Sequence, residues 1–212
     1  MNPQRTVRNR AIFIVAGIAV VSLLAVGIRQ AQHLIDQIRI DRRLESLHHL
    51  IQKQAERTGL PHELIRSVIR FESSGIAAAM SSKNARGLMQ IRPDAESDAL
   101  RVLKIPKGDL FDPAYNLLIG TTYLRALWDR FDARPRIALA AYHMGPSRVA
   151  KILEANPDIT GQQLLKDFAN PTTRHYVQKV IGGMRDYSGP PRFSPCLSLP
   201  AAATVGRPGD WL

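Results

Sequence analysis

The sequence predicts a mainly α protein, one folded domain carried behind a hydrophobic N-terminal helix. Three observations lead there. One long uncharged apolar run stands near the N-terminus, apolar residues recur at three- and four-residue spacing through the remainder, and no stretch shows the period-two alternation of a half-buried strand. At 212 residues the chain can bury one good core, with little room for a second domain of ordinary size.

Residues 11–28 form an 18-residue uncharged run whose one clearly polar side chain is Ser22, bounded by Arg10 and Arg29. As a helix it spans roughly 27 Å, close to a bilayer's hydrocarbon thickness. A transmembrane helix is therefore expected at 11–28. Arg5, Arg8 and Arg10 keep residues 1–10 in the cytoplasm under the positive-inside rule and put everything after Arg29 outside. The alternative is a cleaved signal peptide, with Ala25-Val26-Gly27 as small residues at cleavage positions; the apolar run exceeds the usual core of such peptides.

Residues 29–54 read as a juxtamembrane helix, since Leu44, Leu47, Ile51 and Ala55 keep helical spacing among many charges and no glycine or proline interrupts before Gly59. Gly59-Leu60-Pro61 is a stop followed by a start, and Glu63 suits the positive end of a helix over 61–73. Helical patterns recur over 88–103, 115–131, 136–141, 147–155, 161–168 and 173–185, separated by turn signals such as Asp112-Pro113, Pro135 and Gly145-Pro146. Asp112 reads as a helix cap. The folded domain is thus expected over 55–187, and the proline- and small-residue-rich stretch 188–212 as a disordered tail.

The formal charge of +11 and pI near 10.4 favour anionic partners. No basic motif with interleaved aromatics is present, so nucleic acid is not expected among them. Cys196, the single cysteine, excludes an intrachain disulfide, a multi-thiolate zinc site and a lipid on an N-terminal cysteine. His62-Glu63 opens a zinc-protease-like string, but Arg66 stands where the second histidine belongs, and adjacent His48 and His49 point in different directions on a helix. No metal and no cofactor are expected.

On the 61–73 helix, Ile65, Val68, Ile69 and Glu72 share one face. Glu72 therefore continues an apolar stripe at the helix's negative end, and both circumstances raise a carboxyl pKa, as a general acid requires. The plainer reading is a glutamate at a frayed helix end, with Gly75 as the stop. The following segment weighs against it. Gly87 permits close backbone approach, Leu88, Met89 and Ile91 are apolar, and Gln90 brings an amide that both donates and accepts, a mixture suited to a sugar with an acetamido group.

At this point the sequence resembles the lytic transglycosylase family, which cleaves bacterial peptidoglycan with a lysozyme-like catalytic domain. The resemblance rests on Glu72-Ser73-Ser74, Ser81, and Ala85-Arg86-Gly87-Leu88-Met89-Gln90-Ile91, with 18 residues from Glu72 to Gln90. It continues through Asp112-Pro113-Ala114-Tyr115-Asn116, Gly120, Tyr123-Leu124, Ala138-Leu139-Ala140-Ala141-Tyr142, Gly145-Pro146 and Pro171-Thr172-Thr173-Arg174-His175-Tyr176-Val177. It implies that Glu72 is the single catalytic acid/base. Glu72 would protonate the glycosidic oxygen between N-acetylmuramic acid and N-acetylglucosamine, then take the proton of the muramyl C6 hydroxyl as a 1,6-anhydro ring closes. Ordinary glycosidases use a carboxylate pair, for which the sequence offers Asp94 and Asp98 as uncertain seconds. The resemblance implies that none is needed, because the substrate's acetamido group can stabilise the cationic centre.

The resemblance also implies that Ser81, Gln90, Tyr142, His143 and Tyr176 line the sugar groove; the plainer readings are a turn serine, a surface amide and core tyrosines. Two positions depart from the family. His143 stands where an asparagine is usual, and Thr172 where a glutamate is common, so an amide has become an imidazole and a groove carboxylate is missing. The implied partners are peptidoglycan glycan strands and, through the N-terminal helix, the membrane, with cell-envelope machinery a further candidate. The implied place is the bacterial inner membrane, spanned once, with the domain in the periplasm. A hydrolytic muramidase and a catalytically weak wall-binding scaffold are the alternatives.

Overall fold

The computed structural model describes the backbone of residues 3–187 and the side chains of 21–185; the expected tail at 188–212 lies outside the described residues. The chain divides at Arg42/Arg43 into two compact units. Through the first runs helix α1 (Pro3–Ser46), whose last turn belongs to the second. Among the described residues no helix is long and apolar enough to cross a membrane. Of the expected span 11–28, residues 11–20 lie outside those whose side chains are described.

In the second unit, helices α2 (His48–Thr58), α3 (His62–Ser73), α4 (Pro93–Leu103), α5 (Pro113–Arg130), α6 (Pro135–Met144), α7 (Pro146–Ala155), α8 (Gly161–Asp167) and α9 (Pro171–Tyr187) follow in order. Five of them, α4, α5, α6, α7 and α9, begin on a proline. A first-turn N–H has no helical partner in any case, so proline's missing donor costs nothing there and its fixed φ favours entry. Three starts carry side-chain caps, one of them α9, where Asn170 accepts from the Thr173 amide at 2.8 Å. Asp112 accepts from the Tyr115 amide at 2.7 Å, and Thr160 forms a reciprocal box with Gln163.

Helix α6 is the hub, packing on α5, α7, α8 and α9. Ile137, Ala138, Leu139, Ala140 and Ala141 are all fully buried, as befits a helix that is apolar on every side. Helix α3 packs against α2 and α9, burying Leu64, Ile65, Val68 and Ile69. Its approach to α9 is close because Gly183 faces Ser67 and Phe71, and the Ser67 hydroxyl donates to the Val180 carbonyl at 2.7 Å.

Two expectations change. The helix expected over 88–103 begins at Pro93, because Gly87 and Gln90 take positive φ and Arg86 bridges to both Met80 and Ile91. Residues 88–92 belong instead to a loop that carries candidate site residues. The compact second unit also begins earlier than residue 55. Leu44, Leu47, Ile51 and Gln54 are buried, and α2 packs on α3 and α5, so much of the expected juxtamembrane helix is part of the folded domain.

Candidate active site

Helix α3 delivers Glu72 to its last turn and then stops, with Ser74 in the left-handed region at φ 55°. The carboxyl is raised from its ordinary value to about 7. Burial is the main cause, since it penalises the charged form, while the Tyr176 hydroxyl pulls the other way. That hydroxyl is buried, and Glu72 is the polar group it approaches. Tyr142 is the other phenol that feels Glu72, and burial first and the carboxylate second push both phenols well above their ordinary pKa. A carboxyl whose pKa is pushed up towards neutrality thus acts on two phenols whose own pKa values are pushed up.

The phenols are held from different elements. Tyr142, at the end of α6, donates to the Met89 carbonyl at 2.7 Å, and its ring tilts on Tyr123 of α5 at 5.7 Å between centroids. Tyr176, on α9, stacks on His143 of α6 at 4.6 Å and 29°. His143 Nδ1 lies 3.0 Å from the Thr173 hydroxyl. The imidazole's pKa is lowered, chiefly by burial and then by Lys83. The histidine that replaces the usual asparagine therefore links α6 to α9 and backs the ring that faces Glu72.

The loop after α3 is shaped from its far side. Asn116, fully buried on α5, accepts from the Met89 amide at 2.8 Å and donates to the carbonyls of Arg86 at 3.0 Å and Leu110 at 2.7 Å. Gly87 sits at φ 73°, and a Cβ there would collide with the Asn116 amide and the Leu110 carbonyl. Gln90 Nε2 donates to the carbonyls of Ala79 at 3.2 Å and Gly87 at 3.0 Å, so one half of its amide braces the loop.

A cleft of about 310 Å³ opens beside these groups, and Gln90, Tyr142 and His143 line it. Lys83, Asn170 and Arg148 add donors on its walls. Glu72 and Tyr176 do not line this cleft themselves; Glu72 acts on its lining residue Tyr142, and Tyr176 stacks on its lining residue His143. Ser81 is not among the residues that line this cleft; its hydroxyl oxygen accepts from the amides of Lys83 at 3.3 Å and Ala85 at 3.1 Å. Asp94 lies on the cleft wall beside Arg92, and Asp98 is paired with Arg101 at 2.6 Å.

Sequence reasoning missed two contributors. Asn116 was visible only as one letter of a matching string, since nothing in its type announces a three-bond brace. Thr173 was read as part of an altered motif, and its hydroxyl proves to meet the imidazole that makes the other alteration.

The helical fold agrees with the comparisons. The family model described as Transglycosylase SLT domain matches residues 49–164, and the chain belongs to that family. It is 31% identical over 127 residues to the soluble lytic murein transglycosylase of Escherichia coli strain K12, covering 58% of this chain and 20% of that protein. It is 32% identical over 130 residues to membrane-bound lytic murein transglycosylase E of Buchnera aphidicola, covering 56% of this chain and 59% of that one. The solved structure of an inactive glutamate-to-glutamine mutant of the lytic transglycosylase Slt from Pseudomonas aeruginosa superposes with TM-score 0.60 at 28% identity, covering 64% of this chain and 23% of that one. The chain thus spans only part of the length of these relatives.

Proposed function

We propose that this protein is a peptidoglycan lytic transglycosylase that uses Glu72 as its single acid/base. The observation that carries the reading is the Glu72 carboxyl, its pKa pushed up to about 7 by burial, in the company of Tyr142 and Tyr176, with Tyr142 lining a cleft that also offers amide and imidazole groups. As an acid it protonates the oxygen between N-acetylmuramic acid and N-acetylglucosamine, and the β-1,4 bond breaks. The carboxylate so formed takes the proton of the muramyl C6 hydroxyl, whose oxygen attacks C1 and closes the 1,6-anhydro ring. The proton balance is zero over the cycle, so Glu72 returns protonated without water entering. The Tyr176 hydroxyl, which favours the charged form of Glu72, supports the carboxylate at that midpoint. The relatives' names as lytic murein transglycosylases, and the inactive glutamine mutant among them, support the assignment.

Glu72→Gln keeps the shape and the amide's hydrogen bonding but has no proton to give. The variant is expected to lose at least about 10³-fold in release of soluble fragments from purified sacculi while still sedimenting with them. Undiminished release would overturn the reading.

Membrane anchoring by residues 11–28 is part of the proposal. Val21, Leu23, Leu24 and Ile28 are more than half exposed, which suits a helix bathed in lipid, and one relative carries "membrane-bound" in its name. Retention of the full chain in carbonate-washed bacterial membranes supports the anchor, and recovery in the wash would rule it out.

A further inference from the structure

His143 stands where asparagine is usual, and its surroundings fix more than its position. Thr173, fully buried at the start of α9, brings its hydroxyl to 3.0 Å from His143 Nδ1, and among the described residues the imidazole is that hydroxyl's one hydrogen-bond partner. A buried hydroxyl proton left without an acceptor is costly. Were Nδ1 protonated, the hydroxyl would accept and its own proton would have nowhere to go; with Nδ1 bare, the hydroxyl donates and no donor at the contact is stranded. The neutral imidazole therefore carries its proton on Nε2. One face of the same ring stacks on Tyr176 at 4.6 Å, and Tyr176 in turn addresses Glu72.

A second proton on the imidazole reverses this contact. Nδ1–H would then donate to the Thr173 oxygen and strand the hydroxyl proton where α9 packs on α6. It would also add a cation to a cleft that already carries Lys83 from the loop after α3, Arg92 before α4 and Arg148 on α7. Asp94 is the one acid among the lining residues, and it already meets Arg92 at 3.4 Å. From α9 the ring meets the neutral Tyr176 and Thr173, and the carboxyl of α3, Glu72, acts on Tyr176. Burial first and Lys83 second hold the imidazole's pKa below its ordinary 6.5. We infer that His143 is a positioning residue: the Thr173 hydroxyl holds it neutral with its proton on Nε2, and protonation loosens the α6–α9 link that backs Tyr176 and closes the reaction on the acid side. The inference rests on the reading of Glu72 as the acid, and it gives that acid a lower working limit. Glu72 loses its proton above about pH 7, so by itself it would work undiminished at low pH; His143 adds an acid limb, and the pH profile becomes bell-shaped.

The test measures kcat/KM of the full chain in detergent on purified glycan strands from about pH 4.5 to about pH 8. Below the His143 limb the wild type is expected to lose about tenfold per pH unit, while His143→Asn, which takes up no proton, stays within about twofold of its own maximum. Thr173→Val keeps the shape but removes the bond that favours the neutral ring, so its acid limb should move up by about 0.5–1 pH unit, and Thr173→Ser should restore it. An acid limb unchanged in His143→Asn or in Thr173→Val, or no acid limb in the wild type, would overturn the inference. A second readout needs no turnover: proton–nitrogen correlation NMR of the imidazoles, with the His143 signals assigned by their absence from His143→Asn. A bare Nδ1 above the limb supports the inference, and a protonated Nδ1 overturns it. If the wild type cleaves strands at no pH, the catalytic reading of Glu72 falls alone, and the NMR titration still decides on the link. A His143 pKa higher in Thr173→Val than in the wild type supports it, and an equal one overturns it.

Discussion

At the residue scale, everything turns on a carboxyl placed where its charge is expensive. The position was legible because Glu72 continues a stripe of Ile65, Val68 and Ile69, all of them fully buried. The structure adds what periodicity cannot show: the two phenols arrive from α6 and α9, far along the chain. The raised pKa has a consequence for stability. The unfolded carboxyl releases its proton around pH 4.5 and the folded one around pH 7, so between those values the folded state holds more protons and stability falls as pH rises, levelling off above. The full effect is about 3 kcal/mol. Glu72→Gln is free of it, and its advantage in unfolding free energy over the wild type should be greater at about pH 8 than at about pH 5 by about 2 kcal/mol, read from denaturant titrations at the two pH values. An advantage independent of pH would mean that the carboxyl titrates normally. Ser81 is held by its own turn as an acceptor, which leaves its hydroxyl proton as a donor.

Among the elements, helices were easier to foresee than the loop between them. Prolines at first-turn positions mark five starts, and their chemistry is local, so residues alone announce them. The segment from Ser74 to Arg92 has no such local cause. Its apolar Leu88, Met89 and Ile91 imitate the start of an amphipathic helix, and only the buried Asn116 amide on α5 draws the backbone into the bridged turn that holds Gln90. Gly87 is the point at which the two meet. Gly87→Ala must place a side chain at φ 73° and displace either the Asn116 amide or the Leu110 carbonyl, a combined cost of about 2–4 kcal/mol. Urea unfolding should show that loss. A variant as stable as the wild type within about 0.5 kcal/mol would mean that Asn116 does not hold the loop as described. Helix α4 is tied down on its other flank by Glu96, fully buried and met by Lys107 and Tyr115, each at 3.0 Å. That ion pair was not read from sequence, because Lys107 lies in the loop between α4 and α5 and nothing local pairs it with Glu96.

For the whole molecule, periodicity showed that residues 44–55 have an apolar face but not what covers it, and a helix leading out of a membrane looks the same as one laid on a core. The packing of α2 on α3 and α5 decides in favour of the core. The excess of 29 lysines and arginines over 18 acidic residues gives a surface suited to an anionic partner, which agrees with the wall substrate proposed above. What would make these parts one account is the proposed chemistry, in which a single carboxyl serves as acid and then base and the substrate's own hydroxyl completes the bond. The most direct test is mass spectrometry of the fragments that the full chain releases from purified sacculi, run beside Glu72→Gln. The account predicts 1,6-anhydromuramyl ends, lighter by one water than reducing ends, from the wild type and none from the variant. Reducing ends from the wild type, or anhydro ends that persist in the variant, would contradict it.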